Sequence, residues 1–408
     1  MSGLLTGLRV VEGSAFVAAP LGGMTLAQMG AEVIRFDPIG GGVDHRRWPV
    51  TTAGESLYWA GLNKGKRSFA VNTADPRGRE LIAALITAPG EGGGLYLTNL
   101  PLRDGLGYDA LKARRADLIM LLIQGNPDGS TAVDYTVNAA LGFPFVTGPE
   151  GTEGPVNSVI PAWDFTCGLH AAIGLLAAER HRRLSGEGQL VKLSLFNVGA
   201  ALAAALGYTA EVEINQAERP RLGNAIFGTF GQDFGTKDGR RVMVATVTAR
   251  HVEDLARAAG VLEGLRALEA KDGLDFRTDA DRYAGRAALV ALLTPWFAAH
   301  TLDEVGAALN KAGILWGPYQ SFGEMVRHDR RFTPAANPMI SEIEQPSVGR
   351  YRVPGSPLEF GAAPRATPGP APRLGQDTDA ILADVLGLSS AEIGKLHDQG
   401  VVAGATTA

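Results

Sequence analysis

The chain has 408 residues, of which 45% are apolar and 20% charged, so we expect a globular protein of two or three domains. Its net charge of −5 excludes a global basic field that would recruit nucleic acid or an anionic membrane. The single cysteine, Cys167, excludes an intrachain disulfide and a multi-thiolate metal site. We therefore expect a cytoplasmic protein in a reducing compartment, without a signal peptide or a membrane span.

The first third of the chain alternates between apolar strands and helices. In chain order the predicted strands and helices cover residues 8–11, 20–29, 30–36, 67–71, 76–88, 94–97 and 118–123. Short runs that are apolar throughout fit parallel strands buried on both faces. The pattern predicts a doubly wound, Rossmann-like α/β domain that binds its ligands at the carboxyl ends of the strands.

The longest predicted helix covers residues 165–183, with Asp164 as its N-cap. A strand at 190–196 and an alanine-rich helix at 198–206 follow. We assign residues 1–210 to the large domain.

The sequence changes character after this domain. Residues 221–317 predict a smaller α+β domain, with a short sheet at 229–235 and 241–246. Helices are expected near 251–259, 283–300 and 302–312, and the last of these opens with a Thr-x-x-Glu capping box.

The final segment, residues 318–408, reads as an extended proline-rich linker followed by a terminal helical pair. Proline-rich chain of this length spans a surface, so we expect the segment to return to the large domain. A Ser389-x-x-Glu392 capping box opens the second terminal helix.

One carboxylate stands out as a candidate for chemistry. None of the seven histidines lies three to five residues from another or beside a Cys/Asp cluster, so we expect no metal site. Asp164 ends an apolar stretch at the start of the long helix. It is either an ordinary N-cap or a carboxylate nucleophile held ionised by the helix N-terminus. Spacing alone leaves both interpretations open.

Several stretches resemble the class III CoA-transferase family nearly end to end. They are residues 7–12, 18–20, 26–35, 63–68, 105–111, 174–178, 186–189, 353–357 and 370–379. The resemblance implies an acyl-CoA substrate and an intertwined homodimer of a Rossmann-like large domain with a small α+β domain. It also places the family's catalytic aspartate on Asp164. Because CoA arrives as part of the substrate, the resemblance implies no separate cofactor. It also implies no metal, nucleic acid or membrane partner.

The same resemblance implies the residues that line the CoA site. They are Phe16, Val17, Ala18, Val71, Asn72, Asn99, Leu100 and Arg103, with Arg103 and Lys66 as candidates for phosphate contacts.

Two departures from the family pattern bear on function. Residues 99–104 replace the family's N-F-R-P-G segment, which affects the local phosphate contacts. Val133 stands where the racemases of the family carry a histidine base. The racemases move a proton at the α-carbon of the substrate with two bases. Because a valine cannot accept a proton, this chain lacks one of them.

Residues 161–164, 177–183 and 233–244 are most similar to family members that move CoA between two carboxylates of one dicarboxylic acid. We therefore expect CoA transfer from the C1 to the C4 carboxylate of mesaconate, through an aspartyl-CoA thioester. The candidates for holding the second carboxylate are Arg46, Arg47, Tyr135 and Arg221. Three alternatives stay open: an intermolecular CoA-transferase with a separate acyl-CoA donor and acid acceptor, a 2-methylacyl-CoA racemase, and a CoA-binding protein without catalysis.

Overall fold

The computed structural model describes residues 3–405, which divide into two compact units. The large unit comprises the chain up to residue 141, residues 158–210 and the chain from residue 330 onward. The small unit comprises residues 142–157 and 211–329.

These ranges differ from the predicted ones at 142–157 and at 318–329. Residues 142–157 join the small unit because the Arg221 guanidinium donates hydrogen bonds to the carbonyls of Thr152 and Gly154. The Gly223 N–H also donates to the Gly148 carbonyl, at 2.9 Å.

The strands are β1 (Arg9–Gly13), β2 (Glu32–Asp37), β3 (Arg67–Val71), β4 (Leu95–Thr98), β5 (Ile119–Gln124), β6 (Leu190–Ser194), β7 (Phe230–Gly235), β8 (Arg241–Thr246), β9 (Leu315–Pro318), β10 (Ile340–Gln345), β11 (Gly349–Pro354) and β12 (Val402–Ala403). The helices are α1 (Ala18–Gln28), α2 (Leu57–Leu62), α3 (Pro76–Thr87), α4 (Tyr108–Arg114), α5 (Asp134–Ala140), α6 (Phe143–Val146), α7 (Ala162–Ser185), α8 (Leu195–Ala205), α9 (Tyr208–Asn215), α10 (Ala249–Ala258), α11 (Leu262–Asp272), α12 (Asp279–Ala284), α13 (Arg286–Ala299), α14 (Leu302–Ala312), α15 (Phe322–His328), α16 (Thr378–Asp384) and α17 (Ser390–Asp398). A short 3-10 turn covers Arg330–Phe332.

A seven-stranded sheet in the order β12-β3-β2-β1-β4-β5-β6 forms the centre of the large unit. Six of its strands are parallel, and β12 pairs antiparallel with β3. The six parallel strands have the Rossmann order, in which the strand order reverses between β1 and β4. The predicted doubly wound α/β fold is confirmed, and the carboxyl ends of β1 and β4 mark the crevice where such sheets bind ligands.

The C-terminal segment covers one edge of this sheet. Val402 of β12 lies opposite Val71 of β3, and the Ser68 N–H donates to the Asp377 carboxylate at 2.8 Å. Helices α16 and α17 add Ile381 and Ile393 to the apolar core beside β3. The segment thereby pairs a strand edge that would otherwise be open.

Helices α1 and α7 pack in direct backbone contact. A Cβ built on Gly168 of α7 would lie 2.6 Å from the Ala18 carbonyl oxygen of α1. A Cβ on Gly22 of α1 would lie 3.0 Å from the Gly168 carbonyl oxygen. Only glycine permits this approach, which fixes the first turns of α7 against the start of α1.

The small unit is built on the antiparallel sheet β7-β8-β9. Its core includes Phe234 and Phe297, whose rings stack at a centroid distance of 4.2 Å. The predicted helix at 283–300 corresponds to α13, which begins at Arg286 because α12 ends just before Gly285. Both predicted capping boxes, at Thr301 and Ser389, are confirmed.

No single helix among the described residues is long and apolar enough to cross a membrane; by length and composition alone, the bent pair α8 and α9 passes the same test.

Candidate active site

The loops that follow β1 and β4 are tied together at the crevice. The Ala15 N–H donates to the Asn99 side-chain oxygen at 2.9 Å, and the Asn99 amide donates back to the Ala15 carbonyl at 2.7 Å. Phe16, with φ of 65°, turns the chain into α1. The structure thus brings Phe16, Val17, Ala18 and Asn99 to the switch point of the sheet.

A buried ion network holds this loop from behind. The Arg35 guanidinium contacts Asp37 at 2.9 Å and Asp44 at 3.0 Å, and all three side chains are almost fully buried. Asp44 in turn accepts the Phe16 N–H at 3.1 Å. Burial alone lowers the pKa of Arg35, but the two carboxylates raise it overall, so the guanidinium stays charged. The network therefore fixes the left-handed backbone at Phe16.

Lys66 belongs to the core beside this network. Its ammonium donates to Glu12 at 2.8 Å, to the Pro20 carbonyl at 2.9 Å and to the Asn63 side chain at 2.9 Å. Burial, as the largest cause, lowers the pKa of Lys66 to about 8. Since all three N–H groups are occupied inside the protein, the predicted phosphate contact by Lys66 is wrong.

Asp164 lies in the first turn of α7 but does not cap it. The helix begins at Ala162, so the predicted N-cap role of Asp164 is wrong. Instead, the Asp134 carboxylate accepts the N–H groups of Trp163 at 2.7 Å and Asp164 at 3.0 Å. Within residues 3–405 the Asp164 carboxylate itself accepts no hydrogen bond. Capping by a distant residue leaves Asp164 free for other chemistry.

The electrostatic surroundings favour the neutral form of Asp164. Burial is the largest cause that raises the pKa of Asp164 to about 7, and the charge of Asp134 raises it further. Arg47 acts in the opposite direction. A carboxylate that titrates near neutral pH and is partly stripped of solvent is a competent oxygen nucleophile once ionised.

Cys167, one turn further along α7, is a poor candidate for the nucleophile. It is fully buried, and burial is the main cause that raises the pKa of its thiol to about 12. A protonated, buried thiol is inert as a nucleophile.

Sequence reasoning missed Asp134. Its neighbour Val133, at the position of the racemase base, is exposed just before α5 and lacks a proton acceptor. Asp134 is 3% exposed, and burial is the largest cause that raises its pKa. The available signal was a single acidic residue beside the position of the racemase base.

The other predicted site residues are dispersed. The Val71 side chain is fully buried opposite Val402 and is closed to any ligand. Asn72 accepts the Ala74 N–H ahead of α3 and donates its own N–H to Val401. Leu100 packs partly buried against the core, whereas Arg103 is exposed in the loop after β4.

Of the candidates for a second carboxylate, Arg221 is already engaged. Its guanidinium donates to four backbone carbonyls of residues 144–154 in the small unit. Tyr135 is 45% exposed beside Asp134, and both Arg46 and Arg47 are exposed. Arg47 is the candidate whose charge acts on Asp164. Across the described range, no group of three His, Cys, Asp or Glu side chains is arranged to hold a metal ion.

Comparison with known proteins decides the family. A model described as CoA-transferase family III matches residues 5–378. The chain belongs to this family. It is 56% identical over 405 residues to the 2-methylfumaryl-CoA isomerase of Chloroflexus aurantiacus, with 99% of each chain covered. It is 29% identical to the succinyl-CoA:glutarate CoA-transferase of Mus musculus, which covers 98% of this chain and 90% of the relative.

The fold of this family III transferase is also found in solved structures. A crystal structure of a CAIB/BAIF family protein from Brucella suis matches with a TM-score of 0.78 at 27% identity. The match covers 94% of this chain and 100% of the other. The two chains therefore share this fold over most of their length.

We expect Gly168→Ala to damage both stability and activity. The added Cβ would press on the Ala18 backbone, which cannot move aside as a flexible side chain would. The shift of α7 should cost about 1–3 kcal/mol and displace Asp164, lowering kcat at least about tenfold. Unfolding transitions and turnover measure both effects.

Gly394→Ala in α17 is the matched control, because its Cβ would meet open space. It should be neutral or stabilise by about 0.5–1 kcal/mol. Equal behaviour of the two variants would contradict the close packing of α1 on α7.

We expect Asp164→Asn to stabilise the fold at alkaline pH. Because the pKa of Asp164 is raised to about 7, the folded protein holds this proton more tightly than the unfolded chain. The free energy of unfolding therefore falls as pH rises from about 4 to about 7, by no more than about 4 kcal/mol and by less after solvent screening. Denaturant unfolding should show the variant more stable than wild type at pH 8 and equal to it near pH 4. A wild type that is the more stable protein at pH 8 would refute the raised pKa.

Proposed function

We propose that this transferase moves CoA from the C1 to the C4 carboxylate of mesaconate (2-methylfumarate), with Asp164 as the transient acceptor of CoA. The observation that carries the proposal is the Asp164 carboxylate, which is partly desolvated and free of hydrogen bonds because Asp134 caps its helix. The 56% identity to a 2-methylfumaryl-CoA isomerase supports the substrate.

The first half-reaction transfers CoA to the protein. An Asp164 oxygen attacks the C1 thioester carbonyl, the C–S bond breaks, and CoA leaves as a thiolate with Asp164 and mesaconate joined as a mixed anhydride. The thiolate then attacks the aspartyl carbonyl of the anhydride. This step forms the aspartyl-CoA thioester and releases the C1 carboxylate.

The second half-reaction uses the other end of the same molecule. The C4 carboxylate attacks the aspartyl thioester and again expels the thiolate, which attacks the C4 carbonyl of the new anhydride. Mesaconyl-C4-CoA forms and the Asp164 carboxylate is restored. No proton is gained or lost, so the protein has to orient the groups and exclude water.

The start of α7 contributes less oxyanion stabilisation than its position suggests. The N–H groups of Trp163 and Asp164 are already bound by Asp134 and cannot also donate to a tetrahedral intermediate. The positive charge of Arg47 also acts on the Asp164 carboxylate.

The proposal includes the remaining features that the family resemblance implies. The active protein is an intertwined homodimer in the cytoplasm, and CoA enters with the substrate with no further cofactor. Phe16, Val17, Ala18, Asn72, Asn99, Leu100 and Arg103 contact CoA, with Arg103 on a phosphate and Val71 only backing the site from the core.

The direct test incubates purified protein with mesaconyl-C1-CoA alone and follows both regioisomers by chromatography. We expect the C4 ester to appear without an added acid. Conversion only after addition of an acceptor acid would support an intermolecular transferase, the activity named for the mouse relative. Deuterium uptake at the α-carbon would support a racemase, and binding without turnover would support a CoA-binding protein.

A further inference from the structure

The Arg47 guanidinium lies over two aromatic rings, and its charge acts on Asp164. Its guanidinium carbon lies 5.3 Å from the ring centroid of Phe16 and 5.3 Å from that of Tyr58. Stacking on ring faces fixes the plane of a guanidinium and leaves its N–H edges available for an anion. No carboxylate among residues 3–405 forms an ion pair with Arg47.

The backbone around Arg47 is fixed as well. The Arg47 N–H donates to the Asp44 carbonyl at 3.1 Å, and the Arg47 carbonyl accepts the Ser56 hydroxyl. Ser56 also caps α2, the helix that carries Tyr58. Asp44, anchored by Arg35, holds the Phe16 N–H. The cation and both of its rings therefore rest on one buried framework.

Arg47 and Asp164 are electrostatic neighbours that do not touch. The positive charge of Arg47 lowers the pKa of Asp164, yet the two groups form no ion pair. Because Arg47 has no ion-pair partner, a carboxylate of the substrate can form charge-assisted hydrogen bonds with it while another part of the substrate reacts at Asp164. The Asp134 carboxylate, whose charge also acts on Asp164, is occupied by the backbone N–H groups of α7.

We propose that Arg47 binds the carboxylate of the acyl group that is not in the thioester, and thereby selects dicarboxylyl-CoA substrates. The proposal rests on the proposed function and names how that site recognises its substrate class. With mesaconyl-C1-CoA, Arg47 binds the C4 carboxylate. When CoA is on Asp164, Arg47 retains the free acid, and afterwards it binds the C1 carboxylate.

The test measures binding, so it does not depend on turnover. Asp164→Asn serves as the background, and calorimetry compares mesaconyl-C1-CoA with tigloyl-CoA, in which a methyl group replaces the C4 carboxylate. Adding Arg47→Gln should raise the Kd of mesaconyl-C1-CoA about 10- to 100-fold and that of tigloyl-CoA less than about threefold. Arg47→Lys should raise the Kd of mesaconyl-C1-CoA by an intermediate factor. Lysine keeps the positive charge but lacks the paired N–H donors of the planar guanidinium.

Arg46→Gln removes the same charge from the adjacent residue, which contacts neither ring, and serves as the comparison. Three results would overturn the proposal. Arg47→Gln could weaken the binding of both esters equally, it could leave the affinity for mesaconyl-C1-CoA unchanged, or the selective loss of affinity could appear with Arg46→Gln instead. An active isomerase without this binding selectivity would refute the role of Arg47 alone. Selective binding by a protein that fails to isomerise mesaconyl-CoA would refute the proposed reaction and leave Arg47 as a carboxylate site.

Discussion

Asp164→Asn is expected to lower kcat for CoA transfer by at least about 10⁴-fold, because an amide cannot form the anhydride and the aspartyl thioester. The measurement is the rate of regioisomer conversion, together with unfolding curves that show the variant folds. The variant keeps the backbone N–H that Asp134 binds, so the α7 start should stay in place.

Asp109→Asn is the matched control for this variant. Asp109 is an exposed aspartate in the first turn of α4, and its replacement changes the net charge by the same amount. It should retain wild-type turnover within about twofold. Turnover of Asp164→Asn within tenfold of wild type would remove Asp164 from the chemistry.

The second large effect is an acidic limb in the pH profile of kcat/KM. The pKa of Asp164 is raised to about 7, first by burial and then by the charge of Asp134, so the nucleophile is protonated below neutral pH. The rate should fall tenfold for each pH unit below about 7, which makes it about 100-fold lower at pH 5. Burial raises the pKa of the neighbouring Tyr58 to about 12, so that phenol does not titrate in this range.

Asp134→Asn tests the cause of this limb. The asparagine oxygen can still accept the two N–H groups of α7, but the negative charge that raises the pKa of Asp164 is gone. The acidic limb should therefore move to lower pH. A limb that stays in place or moves to higher pH would show that Asp134 does not set the pKa of the nucleophile.

The sheet was predictable because its signal is local. Buried parallel strands are short runs of apolar residues, and the intervening helices keep their own period. The pairing of β12 with β3 was not predictable, since β12 has two residues and its partner is more than 300 positions away. The hairpin of β10 and β11 lay hidden in a segment read as linker because its strands alternate charged and apolar residues beside many prolines.

In the site, too, the predictions failed where a residue's partner is distant in the sequence. Asp164 was predicted as an N-cap because aspartate is a favoured capping residue, yet the capping carboxylate comes from 30 residues earlier. Lys66 was predicted to contact a CoA phosphate because of the family resemblance, but Glu12, 54 residues away, pairs with it in the core. Such partners are set by tertiary packing, which no window of sequence contains.

The most direct measurement is mass spectrometry of the protein quenched during turnover with mesaconyl-C1-CoA and trapped with hydroxylamine. The account predicts a hydroxamate on the peptide that contains Asp164, which disappears in Asp164→Asn. A modification on another residue, or active enzyme with no modification at any time point, would contradict the account.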